Sequence, residues 1–303
     1  MAKLEQRRYN DLCIHKKGED SMNHQIPQVS YAVVGGSGTL SSDFPANLPD
    51  KDVKILEDNL YFATPYGQSP AMRLFSVGEK KVLCCRMHGW RSGVTRADAS
   101  RQVFWVFREA GVKRILSEGG VGTVNHLLDP RDFMVPDDYL DMSNRKDVML
   151  DGRYLLIMRD ALCPELRQNL IKSVRSRFKG RVFDRGIYAV TDGRHFESPA
   201  EIAMLKGHAD IVGQSIAPEV YLAREIGACY AGLYYVVNYG EGLERVWSHD
   251  TMRDIFYDDA PMIGEILLET IRNVDADHHT CECQSLRKET LLKDVYKEES
   301  EKG

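Results

Sequence analysis

Short apolar runs, separated by segments with helical spacing, fill the middle of the chain. The apolar runs lie at residues 31–34, 82–85, 114–117, 186–190, 211–212 and 230–237. Apolar side chains recur at helical spacing over residues 100–110, 164–178 and 199–205. Short continuous runs are typical of buried strands, and strands that alternate with helices indicate an α/β layer fold. We therefore predict a single α/β domain with a central mixed β-sheet flanked by helices.

Both ends of the chain lack this pattern. Residues 1–29 are polar and mixed in charge, so we expect a flexible N-terminal arm, with Met22 as an alternative start of translation. The domain itself is predicted to span residues 30–275. Residues 276–303 hold a Cys-x-Cys segment and a charged tail, and we expect this end of the chain to fray.

Composition narrows the class of protein. A chain of 303 residues with 43% hydrophobic content is long enough to bury one large core. A formal net charge of -5 gives no basic surface for nucleic acid, and the apolar runs are far shorter than the roughly 20 residues that span a bilayer. The basic N-terminus lacks the apolar stretch of a secretory signal, and the seven cysteines are irregularly spaced. We expect a cytoplasmic protein without nucleic-acid or membrane partners.

Three predicted strands are followed by residues suited to binding an anion. Gly-Gly-Ser-Gly at 35–38 offers backbone N–H groups and the Ser37 hydroxyl, although such turns are also common in purely structural roles. Arg86 and His88 stand two apart at a strand end, so both can enter one cleft, but such a pair is equally typical of a surface. The glycine-rich segment at 117–123 lets the backbone approach a ligand closely.

The order and spacing of these blocks resemble the nucleoside phosphorylase family that contains the methylthioadenosine phosphorylases and the trimeric purine nucleoside phosphorylases. The similar stretch runs from about Tyr31 to Leu286. Further landmarks are Thr-Pro-Tyr-Gly at 64–67, Pro-Arg-Asp at 130–132, Gly-Arg-His-Phe-Glu-Ser at 193–198, Gly-Gln-Ser at 213–215, Pro-Glu at 218–219 and Val-Val-Asn at 236–238. The resemblance implies a homotrimer that cleaves a purine nucleoside with inorganic phosphate as co-substrate, and it implies no metal or organic cofactor.

The resemblance also implies which residues hold the phosphate. Carried over position by position, they are Ser37, Arg86, His88, Gly119, Gly120 and Ser215. A multiply charged nucleophile needs preorganised donors, and the transition state resembles an oxocarbenium ion between phosphate and a departing purine. Arg86, His88 and the base-binding Asn238 are therefore the expected catalytic residues.

The residues that the resemblance assigns to the base favour a 6-oxopurine. Adenine-type members carry Asp at the position of Asn238, whereas this chain combines Asn238 with Glu197, as the 6-oxopurine members do. The Glu197 carboxylate can accept the N1–H of hypoxanthine or guanine, while adenine presents a lone pair there. The Asn238 amide can donate to O6 and accept from N7–H, and Phe196 offers a stacking face. Without the resemblance, Asn238 could equally be a turn-forming residue at a strand end, and Glu197 could be a carboxylate in the first turn of a helix.

The residues near the sugar 5′ position leave two kinds of substrate open. His249 falls where hydroxyl-recognising members have His, which favours an ordinary ribonucleoside. Cys281 and Cys283 resemble the terminal Cys-x-Cys segment of methylthioadenosine phosphorylases, so methylthioinosine is also a candidate. The two cysteines could bind a metal together with His278 and His279, but a tail docked on its neighbour is the favoured interpretation, and no metal site is predicted.

Three departures from the family pattern concern the site. Gln214 replaces a Met that packs under the ribose and implies an altered sugar contact. Glu118 replaces a small residue, and its carboxylate would repel phosphate unless it points away; Met87 replaces the Arg of an Arg-His pair. These departures keep three alternatives open: a methylthioadenosine phosphorylase with another solution for adenine, a non-catalytic nucleoside-binding homologue, and a nucleosidase that uses water.

Overall fold

The protein is described here by a computed structural model of residues 24–291, apart from Lys146, Glu244, Val246 and His279. The predicted α/β fold is confirmed, because a central mixed sheet carries helices on both faces. Most of the expected N-terminal arm, Met22 included, lies outside the described residues, as does the chain beyond residue 291. The boundaries of the domain at residues 30 and 275 stay a prediction.

The described part of the chain contains fifteen strands. They are β1 (Tyr31–Val34), β2 (Val53–Leu60), β3 (Ala63–Thr64), β4 (Gly67–Gln68), β5 (Met72–Val77), β6 (Lys80–Cys85), β7 (Arg114–Thr123), β8 (Phe133–Met134), β9 (Asp138–Asp141), β10 (Tyr154–Leu156), β11 (Val182–Phe183), β12 (Ile187–Val190), β13 (Ile211–Gly213), β14 (Cys229–Tyr239) and β15 (Arg287–Glu289). Eleven of them form the main sheet, in the order β11-β8-β14-β7-β1-β6-β5-β2, and β13, β12 and β9 branch from the end of β7.

Six α-helices accompany these strands within the described residues. They are α1 (Ser37–Leu40), α2 (Arg96–Glu109), α3 (Pro164–Arg177), α4 (Pro199–Leu205), α5 (Glu219–Ile226) and α6 (His249–Asn273). The Thr95 side chain accepts a hydrogen bond from the Asp98 N–H at the start of α2, and Ser198 and Glu201 form a capping box at the start of α4. No described helix is apolar over the length that a bilayer crossing requires.

The centre of the sheet consists of four parallel strands. β14, β7, β1 and β6 lie side by side, and β1 is buried along its whole length. Helices α2 and α5 pack on one face, and α3 and α6 pack on the other. Strands covered on both faces appear in the sequence as continuous apolar runs, which is why the six predicted runs coincide with strands. The three predicted helices correspond to α2, α3 and α4.

The described part of the C-terminal segment is ordered against the domain, so the expectation that the chain frays after residue 275 is wrong for the described residues between 276 and 291. Cys283 and Leu286 are buried, and β15 pairs with β10 in an antiparallel ladder. The Arg287 guanidinium also donates to the Glu225 carbonyl oxygen at 2.5 Å. Backbone pairing and buried side chains therefore fix this segment onto its own chain.

The turns that carry the candidate residues gather at one edge of the sheet. β1 and β6 are in parallel register, so the glycine turn after Val34 lies beside the Arg86–His88 stretch after Cys85. β7 continues past the end of β1, and Gly122 is in register with Asn238 of β14. This arrangement brings the glycine-rich blocks and Asn238 to the same region, as expected at the carboxyl ends of parallel strands.

Candidate functional site

The glycine turn between β1 and α1 fits closely against β7. A Cβ on Gly36 would lie 2.2 Å from the carbonyl oxygen of Glu118, nearer than atoms can approach, so this position needs glycine. The backbone N–H of Gly35 donates to the carbonyl oxygen of Cys85 at 2.9 Å and ties the turn to the end of β6. The turn is therefore held between two neighbouring strands.

The Ser37 hydroxyl, a predicted phosphate ligand, lies beside the second glycine segment. The N–H of Gly120 donates to Ser37 Oγ at 2.9 Å, and the Tyr235 hydroxyl lies 3.1 Å from the same atom. Burial raises the pKa of Tyr235 well above its usual range, so the phenol stays protonated at neutral pH. Ser37 and Gly120 are thus brought together as the sequence predicted.

Ser215 approaches the same segment from the loop after β13. A Cβ on Gly119 would lie 3.8 Å from Ser215 Oγ, and this hydroxyl is 3.0 Å from the hydroxyl of Tyr188. Burial raises the pKa of Tyr188 to about 12. Four of the six predicted phosphate ligands, Ser37, Gly119, Gly120 and Ser215, therefore line one small region.

Glu118 does not point away from the glycine turn. Its carboxylate accepts hydrogen bonds from the backbone N–H groups of Gly36 (2.5 Å), Gly38 (3.1 Å) and Thr39 (2.9 Å) and from the Thr39 hydroxyl (2.9 Å). The side chain is fully buried. Four donors offset the charge of this carboxylate. The sequence analysis expected Glu118 either to repel phosphate or to point away from it, and it missed these hydrogen bonds to the glycine turn.

His88 is buried and held by a carboxylate that the sequence analysis treated only as a landmark. Its Nδ1 lies 2.7 Å from Oε1 of Glu219, and the Tyr230 hydroxyl donates to the other oxygen of Glu219 at 2.7 Å. A Cβ on Gly36 would lie 3.0 Å from Nε2 of His88, so this nitrogen faces the glycine turn. Both Met87 and His88 adopt positive φ angles, 47° and 53°, which is strained backbone for side chains of this size.

Arg86 is less enclosed than His88. Its guanidinium donates to Asp43 at 2.6 Å, and 36% of the side chain is exposed. Asp43 also accepts a hydrogen bond from the buried Arg73 at 2.9 Å. Asp43 therefore links a buried cation to Arg86, which stands at the rim of the site.

Glu197 and Asn238 are both buried, in segments that pack against each other. Glu197 Oε1 accepts a hydrogen bond from the Thr191 hydroxyl at 2.6 Å. The amide of Asn238 donates to the Tyr239 carbonyl oxygen at 3.0 Å. Gly242, shortly after Asn238, packs on Pro199 at the start of α4, just after Glu197. The carboxylate keeps one oxygen without a described protein partner, which leaves it available to a ligand.

Gln214 is tied to the protein by two arginines. Its side-chain oxygen accepts a hydrogen bond from Arg96 at 2.8 Å, and its backbone oxygen accepts two from Arg145 at 3.2 Å. Burial, followed by the nearby charge of Arg145, lowers the pKa of Arg96. The altered sugar contact expected from Gln214 would thus have to form beside this existing network.

The remaining predicted residues lie at the surface. Phe196 is half-exposed and packs edge-on against Trp247 at a centroid distance of 4.9 Å. His249 is exposed in the first turn of α6, which begins at the Ser248 cap. The enclosed part of the site therefore comprises the phosphate-type donors other than Arg86 and the pair Glu197 and Asn238, with Arg86 at the rim and Phe196 and His249 outside it.

Four contributors to the site were missed at the sequence level. They are Tyr188, Thr191, Glu219 and Tyr235. The two tyrosines lie in apolar strand runs, where they are indistinguishable from core residues. Glu219 follows a proline in one of the blocks that resemble the family. The sequence gives no sign that this carboxylate is buried beside His88, so its role could not be predicted.

A separate cluster of side chains has the composition of a metal site. Within the described residues, one group of metal-ligating side chains lies close enough together to hold an ion: Cys163, Cys229, Cys281 and Cys283. Cys229 is in register with Arg114, at the amino-terminal ends of β14 and β7. The cluster is thus at the opposite end of these strands from Asn238 and Gly122.

Comparisons with known proteins place the chain in a family. The family model described as "Phosphorylase superfamily" matches residues 31–272. The chain is 31% identical over 274 residues to "6-oxopurine nucleoside phosphorylase" of Pyrococcus furiosus, covering 85% of this chain and 97% of that protein. It is 34% identical over 217 residues to "Probable S-methyl-5'-thioinosine phosphorylase" of Methanopyrus kandleri, covering 70% and 79%.

The fold also matches a solved structure. A methylthioadenosine phosphorylase sourced from an antarctic soil metagenomic library superimposes with a TM-score of 0.74 at 23% identity. The match covers 86% of this chain and 91% of that one. At this identity the similarity establishes the shared fold.

Proposed function

The chain belongs to the phosphorylase superfamily, and we propose that it is an enzyme that cleaves the glycosidic bond of a 6-oxopurine nucleoside with inorganic phosphate. A phosphate oxygen forms a bond to C1′ of the sugar as the bond from C1′ to N9 of the purine breaks. The bonding electrons leave with the base, which takes up a proton at N7 from solvent, and the products are the free purine and a pentose 1-phosphate. This is a pentosyl transfer to phosphate.

The donors around the glycine turn support a phosphate site. The hydroxyls of Ser37 and Ser215 lie in one region, where the N–H of Gly120 hydrogen-bonds to Ser37, with His88 facing it and Arg86 at its rim. Preorganised donors of this kind stabilise a multiply charged nucleophile without reorganisation during the reaction. In this proposal Glu118 holds the turn and does not occupy the phosphate position.

The buried pair Glu197 and Asn238 is the single observation that carries the choice of base. Glu197 is 7% exposed and Asn238 3%. A buried carboxylate that accepts N1–H pairs with hypoxanthine or guanine, whereas adenine would leave it facing a lone pair. The Asn238 amide then donates to O6 and accepts from N7–H as the base departs. Relatives named for 6-oxopurine and methylthioinosine substrates support this choice.

The sugar 5′ substituent remains a choice between two chemistries in this proposal. The place of His249 in the family pattern favours a 5′-hydroxyl, although its side chain is exposed outside the buried part of the site, whereas the relative named for methylthioinosine supports a 5′-methylthio group. We also propose a homotrimer in the cytoplasm, with phosphate as co-substrate and no cofactor in the reaction. The trimeric members of the family that the sequence resembles support that assembly.

Release of free base tests the reaction. Inosine, guanosine, methylthioinosine and methylthioadenosine are each incubated with the protein, with and without phosphate, and the base and the sugar product are identified by chromatography. The proposal predicts phosphate-dependent release of hypoxanthine or guanine together with a sugar 1-phosphate.

Each other result contradicts a defined part of the proposal. Base release without phosphate, yielding the free sugar, would indicate a nucleosidase. Preferred release of adenine from methylthioadenosine would keep the phosphorylase and reject the assignment of Glu197 and Asn238. Thermal stabilisation by nucleoside without release of any base would indicate a binding protein.

A further inference from the structure

We propose that Cys163, Cys229, Cys281 and Cys283 form a structural zinc site that fastens the C-terminal segment to the domain. The four Sγ atoms all lie within 4.8 Å of one another. Zinc takes four thiolates in a tetrahedron with Zn–S distances of about 2.3 Å, which sets the sulfurs about 3.8 Å apart. The sulfurs are thus already clustered at nearly the spacing that the ion requires.

The four ligands come from three separate parts of the fold. Cys163 is the N-cap of α3, Cys229 opens β14, and Cys281 and Cys283 lie in the C-terminal segment. Cys163, Cys229 and Cys283 are buried and Cys281 is half-buried, so the cluster excludes most solvent. Such a closed set of thiolates is typical of structural rather than catalytic zinc sites.

A buried arginine supplies positive charge beside the sulfur cluster, where a zinc tetrathiolate would be negatively charged. Four thiolates around Zn²⁺ carry a net charge of about -2. The guanidinium of Arg114, which is 2% exposed, donates to Cys229 Sγ at 2.8 Å and lies 3.9 Å from Cys281 Sγ. A buried anion of this kind requires a neighbouring cation. With two neutral disulfides in place of the thiolates, Arg114 would keep its ion pair with Glu165 but would lose an anionic partner on the side of Cys229.

Glu165 contacts both Arg114 and the segment that carries Cys281. Its carboxylate lies 3.0 Å from Arg114 and accepts hydrogen bonds from Thr280, at both the backbone N–H and the hydroxyl, and from the Cys281 N–H. The segment that carries Cys281 is thus positioned by groups outside the sulfur cluster. Outer contacts that orient the ligands are a regular feature of metal sites.

A surface pocket gives the ion a route to the cluster. Its lining includes Cys229 and Cys281, together with Arg114, Lys113 and Asp277. The pocket opens next to the one thiol of the four that is not fully buried. An entry path is one of the requirements for a metal site assembled after folding.

This inference departs from the sequence-based expectation of no metal, and for a physical reason. The sequence offered His278 and His279 as the nearest partners of the Cys-x-Cys pair. The structure instead brings in Cys163 and Cys229, which are more than fifty residues away along the chain. His278 contributes its backbone oxygen to Arg114, and His279 lies outside the described residues.

Metal analysis of the full-length protein tests the site. The protein is purified under reducing conditions without chelator, and zinc is measured by plasma mass spectrometry. We expect one zinc per chain in the wild type and near-complete loss of it in Cys229→Ser and Cys283→Ser. Cys84→Ala is the matched control, because Cys84 is a buried cysteine of β6 outside the cluster, and it is expected to keep its zinc.

Two measurements on the wild type keep the test independent of the folding of the variants. Replacement of zinc by Co²⁺ is expected to give the intense thiolate-to-metal absorption of a tetrathiolate site. A strong chelator is expected to lower the thermal midpoint by about 5 °C or more and to expose the four thiols to a thiol reagent.

Several outcomes would overturn the proposal. They are wild-type protein with free thiols and no metal, two disulfides in place of the thiols under the same reducing conditions, iron in place of zinc, or zinc retained at the wild-type level in Cys283→Ser. Because the readouts are metal content, spectrum and stability, none of them depends on the proposed phosphorolysis.

Discussion

Nδ1 of His88 lies 2.7 Å from Oε1 of Glu219, and both side chains are almost fully buried. The contact spans 131 positions of the sequence and joins the turn after β6 to the first residue of α5. Because Nδ1 is engaged, Nε2 is left to face the glycine turn, where the proposed phosphate binds. Glu219 is therefore a positioning residue for His88.

Because of this contact, we expect removal of the Glu219 charge to lower the catalytic efficiency with phosphate specifically. Glu219→Gln keeps a side chain of the same size but replaces a charge-assisted hydrogen bond, so kcat/KM for phosphate is expected to fall about 10–100-fold. The KM for nucleoside is expected to change far less. Steady-state kinetics with each substrate varied in turn measures both values.

Tyr230→Phe is the control for that variant. It removes the hydrogen bond to the other oxygen of Glu219 and leaves the contact to His88 intact. We expect phosphate kinetics within about threefold of wild type, since the charge-assisted hydrogen bond between Glu219 and His88 remains in this variant. Equal losses in the two variants would show that Glu219 acts through general stability and not through His88.

The Glu118 carboxylate predicts a stability effect. In Glu118→Gln, an amide NH2 group replaces one carboxylate oxygen and faces N–H donors of the glycine turn, so buried donors lose their acceptor. We expect the free energy of unfolding to fall by about 1–3 kcal/mol. Urea denaturation at fixed protein concentration measures it, with the exposed Glu57→Gln as control. An unchanged urea midpoint would contradict the proposed role of Glu118 in holding the turn.

Arg86 predicts an effect confined to phosphate. Removing the guanidinium in Arg86→Ala is expected to raise the KM for phosphate about 10–100-fold, the size of one lost charge-assisted hydrogen bond. The KM for nucleoside should stay within about threefold. Arg185→Ala, at a largely exposed arginine, is the control. A normal KM for phosphate in Arg86→Ala would remove Arg86 from the phosphate site.

Asn238 predicts a shift in the choice of base. An Asp at this position can accept a hydrogen bond from the 6-amino group of adenine, which the Asn238 amide nitrogen cannot do. Asn238→Asp is therefore expected to raise the efficiency with adenosine relative to inosine by about tenfold or more. Asn47→Asp, at an exposed asparagine, is the control. No change in this ratio would mean that Asn238 does not contact the six-position of the base.

Much of the fold could be predicted from the sequence because the central strands are buried between two layers of helices. β1, β6 and β14 are covered by helices on both faces, so their sequences are nearly continuous apolar runs. Helix α6 was not predicted, since the first half of its sequence is mostly polar and Pro261 lies inside it, where a proline normally disfavours a helix. β2 was also missed, because most of its residues are exposed and no apolar run marks it.

Some residues of the candidate site could likewise be predicted from the sequence, and others could not. Ser37, Gly120 and Ser215 could be predicted because each lies in a short block whose spacing is local. The partners of Glu118 and His88 could not, since Thr39 and Glu219 are distant in sequence and meet them only in the folded chain. The same holds for Cys163 and Cys229, which join the C-terminal cysteines from two other elements, the start of α3 and the start of β14.

The selectivity of the wild-type protein for the base tests the central claim most directly. The measurement is kcat/KM at saturating phosphate within two pairs that share a sugar: inosine with adenosine, and methylthioinosine with methylthioadenosine. The account predicts that the 6-oxopurine member of at least one pair is preferred by about 100-fold or more, as expected when the wrong base leaves a buried polar group unpaired. Equal efficiency within both pairs, or a preference for the adenine member, would contradict it.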